Sequence, residues 1–111
     1  MNSDYYVQVG DKPKITEHIP GDLTKSGASV TFSMKPVVAR GEVTVDDVSV
    51  SVSDEDYYHY DDETEVSYTL SASDTSEEGD YLAEFEATYA DGEKLSFPQG
   101  RYYYISVAED I

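Results

Sequence analysis

Apolar residues recur at every second position in several stretches of this chain, the spacing of a strand with one buried face. Ala28, Val30, Phe32 and Met34 alternate with hydroxyl residues, and Tyr81, Ala83, Phe85, Ala87 and Tyr89 alternate with Glu84, Glu86 and Thr88 on the water side. A helix would need apolar returns every third or fourth position, which neither run has. Asp91-Gly92 then supplies the positive-φ pair of a tight hairpin. Leu95 and Phe97 lie on the return strand, which Pro98 and Gly100 end. Tyr103, Ile105 and Val107 share a parity in a last strand. Tyr5, Val7 and Val9 do so in the first, and Val66, Tyr68 and Leu70 in another. Ile15 and Ile19 frame a weaker candidate.

One stretch breaks the rule. Val43 and Val45 are odd-numbered, whereas Val48, Val50 and Val52 are even. A strand slipped by one residue would turn half of these valines to water, so the chain must bulge or turn at Asp46-Asp47. About seven to eight short strands with no credible helix predict an all-β fold, an immunoglobulin-like two-sheet antiparallel sandwich occupying residues 1–111 as one domain. The cysteine pair and tryptophan of antibody domains are missing, which leaves the generic form of that sandwich.

Charge changes the picture next. The 111 residues carry 24 Asp+Glu against 7 Lys+Arg, a formal net charge of -17. Self-repulsion on this scale opposes compaction and is met in three situations: disorder, a folded protein in concentrated salt, or a surface made for a basic partner. The alternation and the 13% aromatic content argue against disorder, since they supply apolar burial. The spread of carboxylates along the whole chain favours a high-salt cytoplasm, where the Debye length falls to about 3 Å at 1 M. Nucleic acid is disfavoured as a partner because no Lys/Arg cluster exists to meet phosphates. No stretch approaches the roughly 20 apolar residues of a membrane helix, no signal-peptide pattern opens the chain, and no membrane partner is expected.

Chemistry finds few parts. Cysteine is absent, the two histidines are His18 and His59, and no Gly-x-Ser-x-Gly or phosphate-binding glycine loop occurs. Paired carboxylates are unavoidable in so acidic a chain and carry no weight. The run Asp74 to Asp80 imitates the first half of an EF-hand loop, but its twelfth position falls on Phe85, so it reads as a turn that Gly79 frees. The expectation is therefore no enzyme, no metal and no cofactor. His18 reads as a surface residue.

The biased segment 54–65, DEDYYHYDDETE, reads as a long acidic loop or hairpin tip. Its tyrosines either lie back on the sheet or form a contact surface, because tyrosine combines a large apolar ring with a polar tip. Tyr57, Tyr58, His59 and Tyr60 are the interface candidates there, joined by Tyr102 and Tyr104 from the last strand.

Several of these segments carry a family likeness. Asp22-Leu23-Thr24 with Gly27 to Met34, then Gly79 to Phe85, Thr88 to Gly92, and Phe97-Pro98 before a Tyr/Ile/Val strand, resemble the small Ig-like domain of tailed-phage structural proteins. The likeness is to the N-terminal domain of the siphophage baseplate upper protein and runs from about Tyr5 to Asp110. It implies a non-enzymatic virion component of the capsid, neck, tail or baseplate, attached to other virion proteins in many symmetry-related copies or as a homo-oligomer. With the acidic composition, it implies a tailed virus of a halophilic archaeon, assembled in the host cytoplasm. The alternative is an Ig-like adhesion module that binds a host surface glycan or protein. The shared residues resemble turn and core positions, so none transfers as catalytic.

Overall fold

The computed structural model describes residues 3–38 and 44–109. Among them run β1 (Tyr5–Gln8), β2 (Lys14–Pro20), β3 (Ser29–Pro36), β4 (Val45–Val50), β5 (Tyr57–Tyr58), β6 (Glu63–Thr69), β7 (Gly79–Thr88), β8 (Lys94–Phe97) and β9 (Tyr103–Ala108). The larger sheet has the order β1-β9-β7-β3-β4, with β8 also paired to β7, and the smaller has the order β2-β6-β5. Neighbours pair antiparallel except β1 and β9, which run parallel from Tyr5↔Ile105 to Gln8↔Ala108. The order β2-β6-β5 against β9-β7-β3 is the B-E-D against G-F-C arrangement of the immunoglobulin sandwich. The all-β, two-sheet architecture expected from the alternation is the one found, with the two-residue β5 added to the expected strands.

The residues that alternation turns inward make the core. Val30, Phe32 and Met34 of β3, Tyr81, Ala83, Phe85 and Ala87 of β7, and Tyr103, Ile105 and Val107 of β9 are buried. They pack with Ile15, Ile19 and Val66 of the smaller sheet and with Leu70 just after β6. Aromatic rings thread this interior: Tyr68 stacks on Phe32 at 4.4 Å, Phe32 meets Phe85 at 5.2 Å, and Phe85 and Tyr5 each present an edge contact to Tyr103. Strand β2 pairs with β6 along its whole length, although Glu17 takes the position between Ile15 and Ile19. The Tyr103 hydroxyl donates to Thr16 O at 3.4 Å, and its pKa is driven far upward by burial first and by the Glu17 carboxylate second.

The valine parity problem is solved by a bulge. Phe32 pairs with Val48 and Met34 with Val45, so Asp46 and Asp47 together oppose Ser33. Asp47 takes a positive φ of 45°, and Ser33 Oγ donates to its carboxylate while accepting from its backbone N–H, each at 3.0 Å. Val45, Val48 and Val50 thereby face the same side as Met34, Phe32 and Val30. Val43 lies outside the described residues. A bulge on an edge strand also twists its free backbone groups away from unwanted pairing.

The hairpin after β7 differs from the expectation of two positive-φ residues. Only Gly92 is left-handed there, at φ 93°. Tyr89 N–H donates to Glu93 O and Gly92 N–H to Tyr89 O, both at 2.8 Å, so the connection is one residue longer than an Asp-Gly pair. Asp91 has no positive φ, and its carboxylate accepts from Glu93 N–H at 2.9 Å. A turn followed by a single left-handed glycine is the usual three-residue solution.

Tyr81 is the most informative core residue. It is fully buried at the start of β7, and its hydroxyl donates to Glu77 O, four residues upstream, at 2.8 Å. This is the tyrosine corner of immunoglobulin-type sandwiches, in which the strand's cysteine would follow two residues later. Ala83 holds that position. Replacing Tyr81 by Phe keeps the ring and removes the bond, and it is expected to cost about 1 kcal/mol. The loss should appear as a lower urea midpoint at an unchanged slope; an unmoved midpoint would show that the corner contributes nothing.

Candidate functional site

The tyrosine-rich segment is a hairpin. A 3₁₀ turn at Asp54–Asp56 leads into β5, and residues 59–62 turn the chain into β6. Asp62 takes a positive φ of 50°, which a short polar side chain tolerates. The two-residue period then sends successive tyrosines to opposite faces. Tyr57, paired with buried Thr64, turns towards the β2–β3 loop, and Tyr58, paired with Glu63, faces outward. Tyr60 projects from the turn with no burial at all (104% exposed).

On the outer face of the smaller sheet Tyr58 joins His18. The two rings lie 5.9 Å apart and nearly parallel. His18 Nδ1 is 2.9 Å from Glu63 and its Nε2 is 3.3 Å from Glu65, while the Tyr58 hydroxyl donates to Glu65. The Glu65 charge, ahead of desolvation, raises the Tyr58 pKa. His18 is exposed, in line with its reading from sequence.

Tyr57 builds something different. Its hydroxyl donates to Asp62 Oδ1 at 2.6 Å, and this bond is the main reason its pKa is pushed up to about 12. His59 closes edge-on against the same ring at 4.7 Å. The ring lines a cavity of about 360 Å³ together with Gly21, Asp22, Lys25, Asp62, Tyr89, Ala90 and Asp91. Three connections meet there: β2 to β3, β5 to β6, and β7 to β8. In an immunoglobulin-type sandwich such loops cluster at one end.

Hydrogen bonds fasten these loops to one another. Gly21 N–H donates to Asp62 O at 2.7 Å. Buried Thr64 donates to Gly21 O at 2.7 Å and accepts from Leu23 N–H at 3.0 Å. Tyr89 reaches across to Pro20 O at 2.6 Å, and its ring lies so close to Gly21 that a Cβ there would meet Tyr89 Cε1 at 3.0 Å. Gly21 also has φ 94°, so both backbone and space demand glycine. Burial, then the Glu93 charge, raises the Tyr89 pKa. Asp22 accepts from the Thr24 hydroxyl and N–H, which lower its pKa.

No protein family, curated protein or solved structure matches this chain.

Tyr102 and Tyr104 lie elsewhere. They belong to the outer side of the larger sheet, where Tyr104 is opposite Leu82 and the Tyr102 ring sits 6.0 Å from Lys35 Nζ. Tyr6 joins this side from β1, through its register with Ser106, and is 72% exposed. The six candidate residues thus divide into a hairpin group of Tyr57, Tyr58, His59 and Tyr60, and a pair of Tyr102 and Tyr104 on the opposite face. Tyr6 was legible from its parity against Tyr5 and Val7. Asp22, Tyr89 and Asp91 were not, since a sequence marks them as turn or strand residues and only the strand order brings their loops together. Among the described residues, no group of three or more His, Cys, Asp or Glu is arranged to hold a metal ion.

Proposed function

We propose that this chain is a non-enzymatic structural component of a tailed virus particle of a halophilic host, acting by attachment to neighbouring virion proteins. The resemblance to the Ig-like domains of tailed-phage structural proteins supports this. Its residues lie in the β2–β3 loop, β3, β7, the β7–β8 hairpin and the approach to β9, which are mostly core and turn positions of the sandwich. The observation that carries the reading is the placement of exposed tyrosines on two opposed faces. Tyr58 lies on one and Tyr6 and Tyr102 on the other, with Tyr60 at the hairpin tip. Tyrosine is enriched where proteins touch. A domain with such surfaces front and back suits a repeating assembly, in which each copy has neighbours on both sides.

Imaging and mass spectrometry of purified particles test this directly. The domain is expected in many copies at fixed positions in the capsid, neck, tail or baseplate, and a particle lacking it would overturn the reading. Tyr58→Ser combined with Tyr60→Ser should leave the fold intact, because neither ring is in the core, and should sharply reduce incorporation. Tyr57 is kept in that experiment, since its bond to Asp62 shapes the loop end.

A further inference from the structure

The outer face of the larger sheet has a charge balance unlike the rest of the chain. Register turns Lys35 of β3 and Lys94 of β8 to that side, and Arg101 stands at its margin beside Tyr102, so three of the 7 Lys+Arg gather there and four are left for the bulk of the 24 Asp+Glu. The carboxylates of this face form a column along β7, where Asp80, Glu84 and Glu86 alternate with buried residues. Lys35 flanks the column on one side, and Lys94 and Arg101 flank it on the other. Asp4, just ahead of β1, is bound to Arg101 at 2.9 Å. Between the charges lie half-buried Leu82 and Tyr104, with exposed Tyr6 and Tyr102 beside them.

We infer that this face packs on the same face of a second copy, about a two-fold axis that runs between β7 and the line of β8 and β9. Laying β7 on β7 sets carboxylate against carboxylate. Moving the axis half a strand aside lays each β7 over the second copy's β8–β9 line, and each β3 over its β1, as the order β1-β9-β7-β3 allows. Such an axis preserves height along the strands, so the register within one copy gives the contacts between two. Leu82, paired with Tyr104 in one copy, meets Tyr104 of the other. Lys35 comes to the second copy's Asp4, Glu84 to its Arg101 and Glu86 to its Lys94, each contact occurring twice. A hollow of about 370 Å³ between Ser96, Pro98, Arg101 and Tyr102 leaves room for the incoming Glu84 side chain. Four strands about 4.8 Å apart, against a β7 of 10 residues at about 3.3 Å each, cover roughly 650 Å² per copy, or about 1,300 Å² for the pair, which is within the range of stable interfaces. Two chains of charge -17 repel as wholes, but molar salt shortens the Debye length to about 3 Å and leaves the contacts to decide.

The test is sedimentation equilibrium of the full chain in molar KCl, at concentrations up to about 1 mM, where a monomer–dimer equilibrium with a Kd in the micromolar range is expected. Glu86→Lys and Lys94→Glu lie outside the core, and each sets like charges against each other twice in its own dimer, so each should weaken association by at least about tenfold. An equimolar mixture of the two variants restores opposite charges at both contacts and should dimerise as the parent does, which also shows that both variants are folded. A parent that stays monomeric throughout, a dimer indifferent to both substitutions, or a mixture no tighter than either variant alone would each overturn the inference. The pair names the neighbour on one face within the attachment reading above, and the two proposals fail separately. A monomeric chain found in particles removes the pair and leaves attachment standing. Particles that lack a dimerising chain remove attachment and leave the pair.

Discussion

Replacing Phe32 by Ala is expected to lower the unfolding free energy by about 3–5 kcal/mol. Phe32 is fully buried, stacks on Tyr68 from the opposite sheet, and meets Phe85 on the neighbouring strand. Its removal takes away ring burial and leaves a void that the sandwich fills only in part. Against a total stability of about 5–15 kcal/mol, a loss of this size leaves a large fraction of the variant unfolded at low salt. Val48→Ala is the control. Val48 is the direct cross-strand partner of Phe32 on β4 at the end of the sheet's strand order, but is 39% exposed. That change should cost within about 1 kcal/mol. Urea unfolding of both variants in molar KCl measures the contrast, and equal losses would contradict the placement of Phe32 at the junction of the sheets.

Thermal stability is expected to climb steeply with potassium chloride, by more than about 10 °C between low and molar concentration. The placement of charges supplies the reason. Between described residues, an ion pair joins Arg101 to Asp4, and the His18 ring lies within reach of Glu63 and Glu65. Glu84 and Glu86, by contrast, are like charges side by side on one face of β7. Burial, and after it the Glu86 charge, hold the Glu84 carboxyl above its ordinary pKa. A raised carboxyl pKa means that the folded state binds the proton more tightly than the unfolded one. The charged form therefore costs stability above the folded pKa, and the cost disappears as the pH falls through it. Mild acidification of a low-salt sample should accordingly raise the melting temperature, and Glu84→Gln should flatten both the pH and the salt response. A melting temperature indifferent to KCl would mean that the charge serves a partner rather than the solvent.

The legible part of the fold was the part in which one physical rule acts alone. In β3, β7 and β9 a single face is buried, so parity in the sequence became position in the core. The Asp46-Asp47 bulge was equally readable, since two valine parities in one strand admit few solutions. Strand β2 was obscured because Glu17 interrupts its apolar alternation, and Tyr103, whose hydroxyl pKa that carboxylate helps to raise, lies nearly ninety residues away. The tyrosine corner was hidden for a related reason: alternation says that Tyr81 is inside but says nothing of where its hydroxyl goes. At the candidate site, the tyrosines of the hairpin could be singled out by composition, yet their division between two surfaces is a matter of register. The cavity required three loops separated by dozens of residues, and no local pattern encodes that convergence.

The parallel pairing of β1 with β9 also has a consequence in time. Tyr5 must find Ile105, across nearly the whole length of the chain, before the larger sheet is closed on that side. Loop closure over such a span comes late in folding, and topologies dominated by distant partners fold in milliseconds to seconds, more slowly than those built from local contacts. On the ribosome, at about 5–20 residues per second, β1 waits several seconds for its partner, while β3 and β4, close in sequence, can pair earlier. Throughout that interval Val7 has no strand to lie against. A nascent chain of this design gains from a neighbour that shelters its first strand, or from crowded siblings too highly charged to pair with it.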